Sequence, residues 1–286
     1  MKVARLAARL LLVLAAAATS LWAAPAPSAR LDPATPVQVA RDLAYGKDPL
    51  QRVDAYVPLH PAGPVLVVVH GGAWRFGDKA SPPMIRPKVA YWTARGYVVV
   101  AVNYRLLPAA DPLEQARDVA RALALVQKQA PAWGADPKRV VLMGHSSGGH
   151  LVSLLNSAPG LAQAEGASPW RGAINLDGAV LNVPELMKQP HARLHDRAFG
   201  RDPAFWEKVS PFHVLQRQPP PPLLIVCSNL RELSCPQADA FERKASPLGH
   251  QITIWHQAKT HMDIDRQLGL PGVYTDSVAL WINSIL

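Results

Sequence analysis

Short β-branched runs alternate along this chain with longer segments of helical pattern, which is how a mostly parallel sheet with crossover helices reads. Val65–Val69 is a continuous apolar run and predicts a strand, with a helix over residues 85–95 and the next strand over residues 97–102. A second helix fits residues 113–129. Residues 140–144 predict a strand running into Ser146, and residues 148–156 a helix whose glycines permit close packing on the sheet. The runs 173–176, 223–226 and 252–255 are the last strands. Residues 37–57 add antiparallel strands at the sheet edge, and residues 274–286 close the chain as a helix. Between Asp177 and Pro219 the pattern loosens, with Phe199, Phe205, Trp206 and Phe212 set among charged residues. Long irregular segments in compact domains tend to be functional, so a small cap or substrate-contacting insertion is expected there.

Composition narrows this to one domain. A chain of 286 residues, 49% of them hydrophobic, can bury a sizeable core, and no linker divides it. The 28 prolines cluster at segment ends, marking loops. Residues 1–26 read as a signal peptide. Lys2, Arg5 and Arg9 precede an apolar run over residues 10–18, and Ala23, Ala24 and Ala26 offer a cleavage site. The run falls short of the roughly 20 apolar residues a membrane span needs. Residues 27–286 are therefore expected as a single domain, periplasmic or secreted, with no membrane association after cleavage. Three of the nine net positive charges leave with the signal. The remaining basic residues, such as Arg121, Arg171, Arg201, Arg217 and Arg231, are scattered singly, which argues against nucleic-acid binding. Cys227 and Cys235 are bound for a compartment where disulfides persist and are expected to pair.

Three places carry chemistry. In Gly144-His145-Ser146-Ser147-Gly148 a strand turns sharply into a helix, and small neighbours give room to an exposed nucleophile, Ser146. In His70-Gly71-Gly72-Ala73-Trp74, directly after an apolar strand, glycines let backbone amides approach a substrate oxygen. Amides of Gly71, Gly72, Ala73 and Ser147 are the candidate oxyanion donors. A serine hydroxyl needs a histidine to take its proton, with an acid behind it. Of the ten histidines only His250, His256 and His261 follow the strand over residues 223–226, and only His261 lies in the loop after the final strand.

These residues, with Tyr45-Gly46, residues 54–58, Asn103-Tyr104-Arg105, Asp118, Ala198-Phe199-Gly200 and Leu268-Gly269, resemble the feruloyl-esterase-like and hormone-sensitive-lipase-like esterases of the α/β-hydrolase fold, a group related to arylformamidases. The resemblance spans nearly the whole mature chain. It implies an α/β-hydrolase fold, with a mostly parallel sheet flanked by helices, and hydrolysis of a small-molecule ester through an acyl-enzyme, with no cofactor and no metal. Members of the group usually carry an aspartate after the penultimate strand. Here the only acid between Cys227 and Cys235 is Glu232, which is therefore expected to orient His261. Asp239, Asp263 and Asp265 are its nearest competitors, and they read as surface or helix-capping residues. His145 and His150 read as pocket supports, Asn103, Tyr104 and Asp118 as braces for nearby loops, and His191 with His195 as a solvated helix face. The expected activity is on short-chain or aryl esters. An arylformamidase-like amidase and a non-catalytic binding protein on the same scaffold are the alternatives.

Overall fold

A computed structural model describes residues 37–216 and 220–286, and residues 1–26, expected as a signal peptide, lie outside the described residues. The strands are β1 (Val37–Ala44), β2 (Arg52–Pro58), β3 (Val65–Val69), β4 (Val98–Val102), β5 (Val140–His145), β6 (Gly172–Leu176), β7 (Leu223–Ser228) and β8 (Ile252–Gln257). They form one eight-stranded sheet in the order β1-β2-β4-β3-β5-β6-β7-β8. β1 and β2 join antiparallel, as does β2 with β4, and every later pairing is parallel.

Parallel strands covered on both faces read as unbroken apolar runs, and alternation along the backbone then divides each run between two cores. Val65, Val67 and Val69 face one core; Leu66 faces the other. The first core is closed by α2 (Pro112–Gln129), α3 (Ser147–Ser157) and α8 (Ser234–Ala245), through Val119, Leu123, Leu151, Leu155 and Phe241. The second is closed by α1 (Pro82–Thr93), α9 (His261–Arg266) and α10 (Val273–Ile285), through Ile85, Trp92, Ile264, Val278 and Ile282. Each such side chain, once fully buried, contributes about 1.5–3 kcal/mol of transfer free energy.

Caps set the ends that periodicity leaves loose. α2 begins at Pro112 because the Asp111 carboxylate accepts from the amides of Leu113 and Glu114, both at 2.9 Å. β7 and β8 run two residues past their apolar stretches, because Cys227 pairs with His256 and Ser228 with Gln257. After α4 (Pro159–Ala164), the loosened segment folds as three short helices, α5 (Val183–Met187), α6 (Arg193–Phe199) and α7 (Pro203–Lys208). Phe199, buried in this cap, packs edge-on against Trp74 with ring centroids 5.0 Å apart, so the cap is docked on the His70–Trp74 turn. Among the described residues no helix is long and apolar enough to cross a membrane.

Because β3, β5, β6, β7 and β8 run in one direction, their carboxyl ends open on a single edge of the sheet, where open α/β sheets place their ligand sites.

Candidate active site

Ser146 stands between β5 and α3 with φ 55° and ψ −120°, a conformation that side-chain-bearing residues rarely adopt. The turn closes because its neighbours are glycines. A Cβ on Gly144 would fall 2.2 Å from the Gly148 carbonyl oxygen, and one on Gly148 would fall 2.4 Å from the Val69 oxygen. The His70–Trp74 turn passes equally close, since a Cβ on Gly71 would lie 2.8 Å from Ser146 Cβ. That turn is braced from outside. Tyr104 donates to the His70 carbonyl at 2.9 Å, Gln115 Nε2 to the Trp74 carbonyl at 2.8 Å, and Trp74 Nε1 to His150 Nδ1 at 3.2 Å. Asn103 holds the next turn through Asp78 and the Lys79 amide, while buried Asp118 binds Arg105, Arg121 and Gln51. The amides of Gly72, Ala73 and Ser147 have no acceptor among the described residues.

His261 begins α9, which Thr260 caps by accepting from the Asp263 amide. Its Nε2 accepts from Ser146 Oγ at 3.0 Å, and its Nδ1–H donates to Asp177 Oδ2 at 2.6 Å. Asp177 directly follows β6, with φ 54°. The register of Leu176 with His145 sets it beside the serine turn. Its carboxylate, completely shielded from solvent, is fully engaged. Oδ1 accepts from the Ser228 amide at 2.9 Å and from Ser234 Oγ, while Oδ2 accepts from His261 and, at 2.7 Å, from Arg231. Burial alone would raise this carboxyl. Hydrogen bonds from His261 and Ser234, the Arg231 charge and the Ser228 amide outweigh it and hold the group down at about 2.

The acid beside His261 is thus Asp177, and the expectation for Glu232 is corrected. Glu232 lies in the turn before α8 with its side chain exposed, and it makes no hydrogen bond to His261. Of the other acids, Asp239 pairs with His256 at 3.0 Å and Asp263 caps its own helix through Thr260. Asp265 is buried against Lys88, 2.6 Å away. Behind the base, Lys88 also donates to the Asp265 carbonyl at 2.7 Å. Burial pushes His145 down to about 4 despite nearby Asp265, and its Nε2–H donates to the His261 carbonyl at 2.9 Å. His150 is likewise a buried support, bonded to the Val209 carbonyl at 2.7 Å. His191 precedes α6 and pairs with Asp196, whereas His195 lies on α6 and turns toward the cavity.

These groups line one cavity of about 790 Å³. Its walls join Gly71 to Trp74, Ser146, Ser147, Asp177 and His261 to Val180, Leu194 and His195 of the cap. A second cleft of about 860 Å³, beside Trp255 and Tyr274, is lined by neither a histidine nor a carboxylate. Cys227 and Cys235 are joined by a disulfide that closes the loop after β7. A hydroxyl bonded to an imidazole, itself bonded to a buried carboxylate, with unfilled amides alongside, is an arrangement able to transfer an acyl group.

Known proteins resemble this chain in sequence and in fold. Residues 53–244 match the BD-FAE family. The isoprenylcysteine alpha-carbonyl methylesterase ICME of Arabidopsis thaliana is 29% identical over 260 residues, covering 82% of this chain and 59% of that protein. Esterase LipC of Mycobacterium tuberculosis is 28% identical over 218 residues, covering 70% of this chain and 53% of that protein. The chain thus spans little more than half the length of these relatives. Among solved structures, esterase B from Lactobacillus rhamnosis carrying a C6-C4 SN3 inhibitor superposes with a TM-score of 0.70 at 20% identity, covering 87% of each chain. That likeness shows the shared fold.

Proposed function

Since the chain belongs to the BD-FAE family, we propose that it is a serine ester hydrolase in which Ser146 attacks, His261 shuttles the proton and Asp177 orients His261. The observation that carries this reading is the continuous line from Ser146 Oγ to His261 Nε2 at 3.0 Å and from His261 Nδ1 to Asp177 at 2.6 Å. Ser146 Oγ bonds to the ester carbonyl carbon as its proton passes to Nε2. The carbonyl oxygen becomes an oxyanion held by the amides of Gly72, Ala73 and Ser147, with Gly71 keeping the turn against the serine. Collapse expels the alcohol, which takes the proton from His261. Water then repeats the sequence in reverse and releases the acid. No step calls on a cofactor. Against the non-catalytic alternative stands the buried carboxylate of Asp177 behind His261.

Substrates are proposed to be esters of short acyl chains or of aryl groups. Leu194, His195 and Trp74 line the same cavity as Ser146, and no long apolar tunnel is legible in the sequence between Asp177 and Pro219, which favours a compact acyl group. In a panel of monomeric aryl esters of graded acyl length, with a formylated aromatic amide alongside, kcat/KM is expected to peak between about two and six acyl carbons, because each further methylene gains only about 0.8 kcal/mol when it finds apolar surface to bury. Fastest turnover of the formamide, or of a long acyl chain, would reject this substrate class.

Export to the periplasm or beyond is proposed from the charge, apolar run and small residues of positions 1–26, and a disulfide suits an oxidising compartment. N-terminal sequencing of the protein recovered outside the cytoplasm should start near residue 27; an intact Met1 there would refute cleavage.

A further inference from the structure

The loop between β7 and α8 is where the acid was expected, and it supplies the acid's partners instead. Ser228 donates its amide to Asp177 Oδ1 at 2.9 Å, and Ser234 donates its hydroxyl to the same oxygen. Arg231 Nη1 donates to Oδ2 at 2.7 Å and to the Asp177 carbonyl at 3.1 Å. Ser228 Oγ–H reaches further, to the Lys259 carbonyl at 2.6 Å, and so ties the acid's side of the site to the segment that precedes His261. The Cys227–Cys235 disulfide closes this loop at its two ends.

We infer that the disulfide-closed loop is an anion receptor for Asp177, and that Arg231 is a positioning residue which aims the carboxylate at His261 and sets the pH range of turnover. The inference rests on the Ser146–His261–Asp177 reading. Asp177 is shielded from water, and a buried carboxylate without compensating donors would take up a proton or turn away. The Arg231 side chain is 39% exposed, so its own charge remains partly hydrated while it neutralises the acid. Arg231 also stands 3.1 Å from His261 Nδ1. Since that nitrogen's proton already belongs to Asp177, this is the approach of a cation to the imidazole, not a second hydrogen bond. The charged or titratable groups facing His261 are Asp177 after β6, Arg231 after β7, His145 at the end of β5 and Asp265 on its own helix. Arg231 is the permanent cation among them, 3.1 Å from the imidazole, and like charges so placed repel each other.

The test compares Arg231→Gln, Arg231→Lys and Ser234→Ala in the full-length, disulfide-bonded protein by kcat and KM across pH on an aryl acetate. Arg231→Gln should lower plateau kcat about tenfold with KM within about twofold, and should move the acid limb of kcat/KM up by roughly 0.5–1 pH unit. Arg231→Lys keeps the charge and should return the limb toward the parent. Ser234→Ala removes a donor without a charge, and should lower kcat severalfold while the limb stays in place; this arm holds even if Arg231→Gln folds poorly. An unmoved limb in Arg231→Gln, or identical profiles for the Gln and Lys variants, overturns the inference. Asp177→Asn, measured alongside, separates the two levels. If it is inactive while Arg231→Gln matches the parent, only the receptor falls; if it is fully active, the triad reading falls and takes the receptor with it.

Discussion

Asp177→Asn lowers kcat/KM for a short aryl ester by roughly 10²- to 10⁴-fold, whereas Glu232→Gln leaves it within about twofold of the parent. Four donors converge on the two oxygens of Asp177, from Ser228, Ser234, His261 and Arg231. An asparagine offers one oxygen and an amide that must itself donate. If its NH₂ turns toward His261, it demands an acceptor at Nδ1 and moves the imidazole proton to Nε2, the atom that has to accept from Ser146. If the NH₂ turns the other way, it meets the Ser228 amide and the Ser234 hydroxyl, and the charge that stabilises the imidazolium is gone in either case. Glu232 lies exposed in a turn and touches none of these groups. Steady-state kinetics of both variants, with circular dichroism to verify folding, decide the matter: a larger loss at Glu232 than at Asp177 would restore the acid expected from sequence.

Ser146→Ala is expected to cost on the order of 10⁴- to 10⁶-fold in kcat and to abolish covalent labelling by a fluorophosphonate. Among the described residues no other side-chain hydroxyl is bonded to His261 Nε2. His261 Nε2 is held by Ser146 Oγ at 3.0 Å, and the neighbouring Ser147 is buried with its side chain inside the start of α3. Alanine keeps the backbone turn and its φ of 55°, so the fold should survive with the oxyanion amides in place. Residual turnover within roughly tenfold of the parent would remove Ser146 from the mechanism.

Ser146 and His261 were legible because local rules determine them. A nucleophile on a strand-to-helix turn needs small residues at fixed offsets, and the base must follow the last strand. The acid has no such local signature. Asp177 stands at the end of an apolar strand and opens the segment that reads as a cap, so nothing beside it in the sequence marks it as an acid for His261. What separates the ends of β6 and β7 is register in space. Leu176 pairs with His145 on one side and Val226 on the other, which places Asp177 next to the serine and brings the loop after β7 over it as a source of donors. Glu232 occupies the expected loop, but that loop turns its arginine and serines inward and its glutamate outward. The polar ends of β7 and β8 were hidden for a similar reason, since pairing between strands extends them after hydrophobicity has stopped.

The buried contact between Lys88 and the carbonyl of Asp265 joins positions 177 apart in sequence. It anchors the helix that presents the base, and the bond from Ser146 to His261 itself spans 115 positions. As the chain is made from its amino end, the proposed nucleophile Ser146 emerges first, Asp177 second, its donors Ser228, Arg231 and Ser234 third and His261 last. A truncated or half-made molecule could own a well-formed serine turn and still be unable to cleave anything. On the mechanism proposed above, turnover would therefore read out completed topology, since His261 follows the final strand laid on the edge of the sheet.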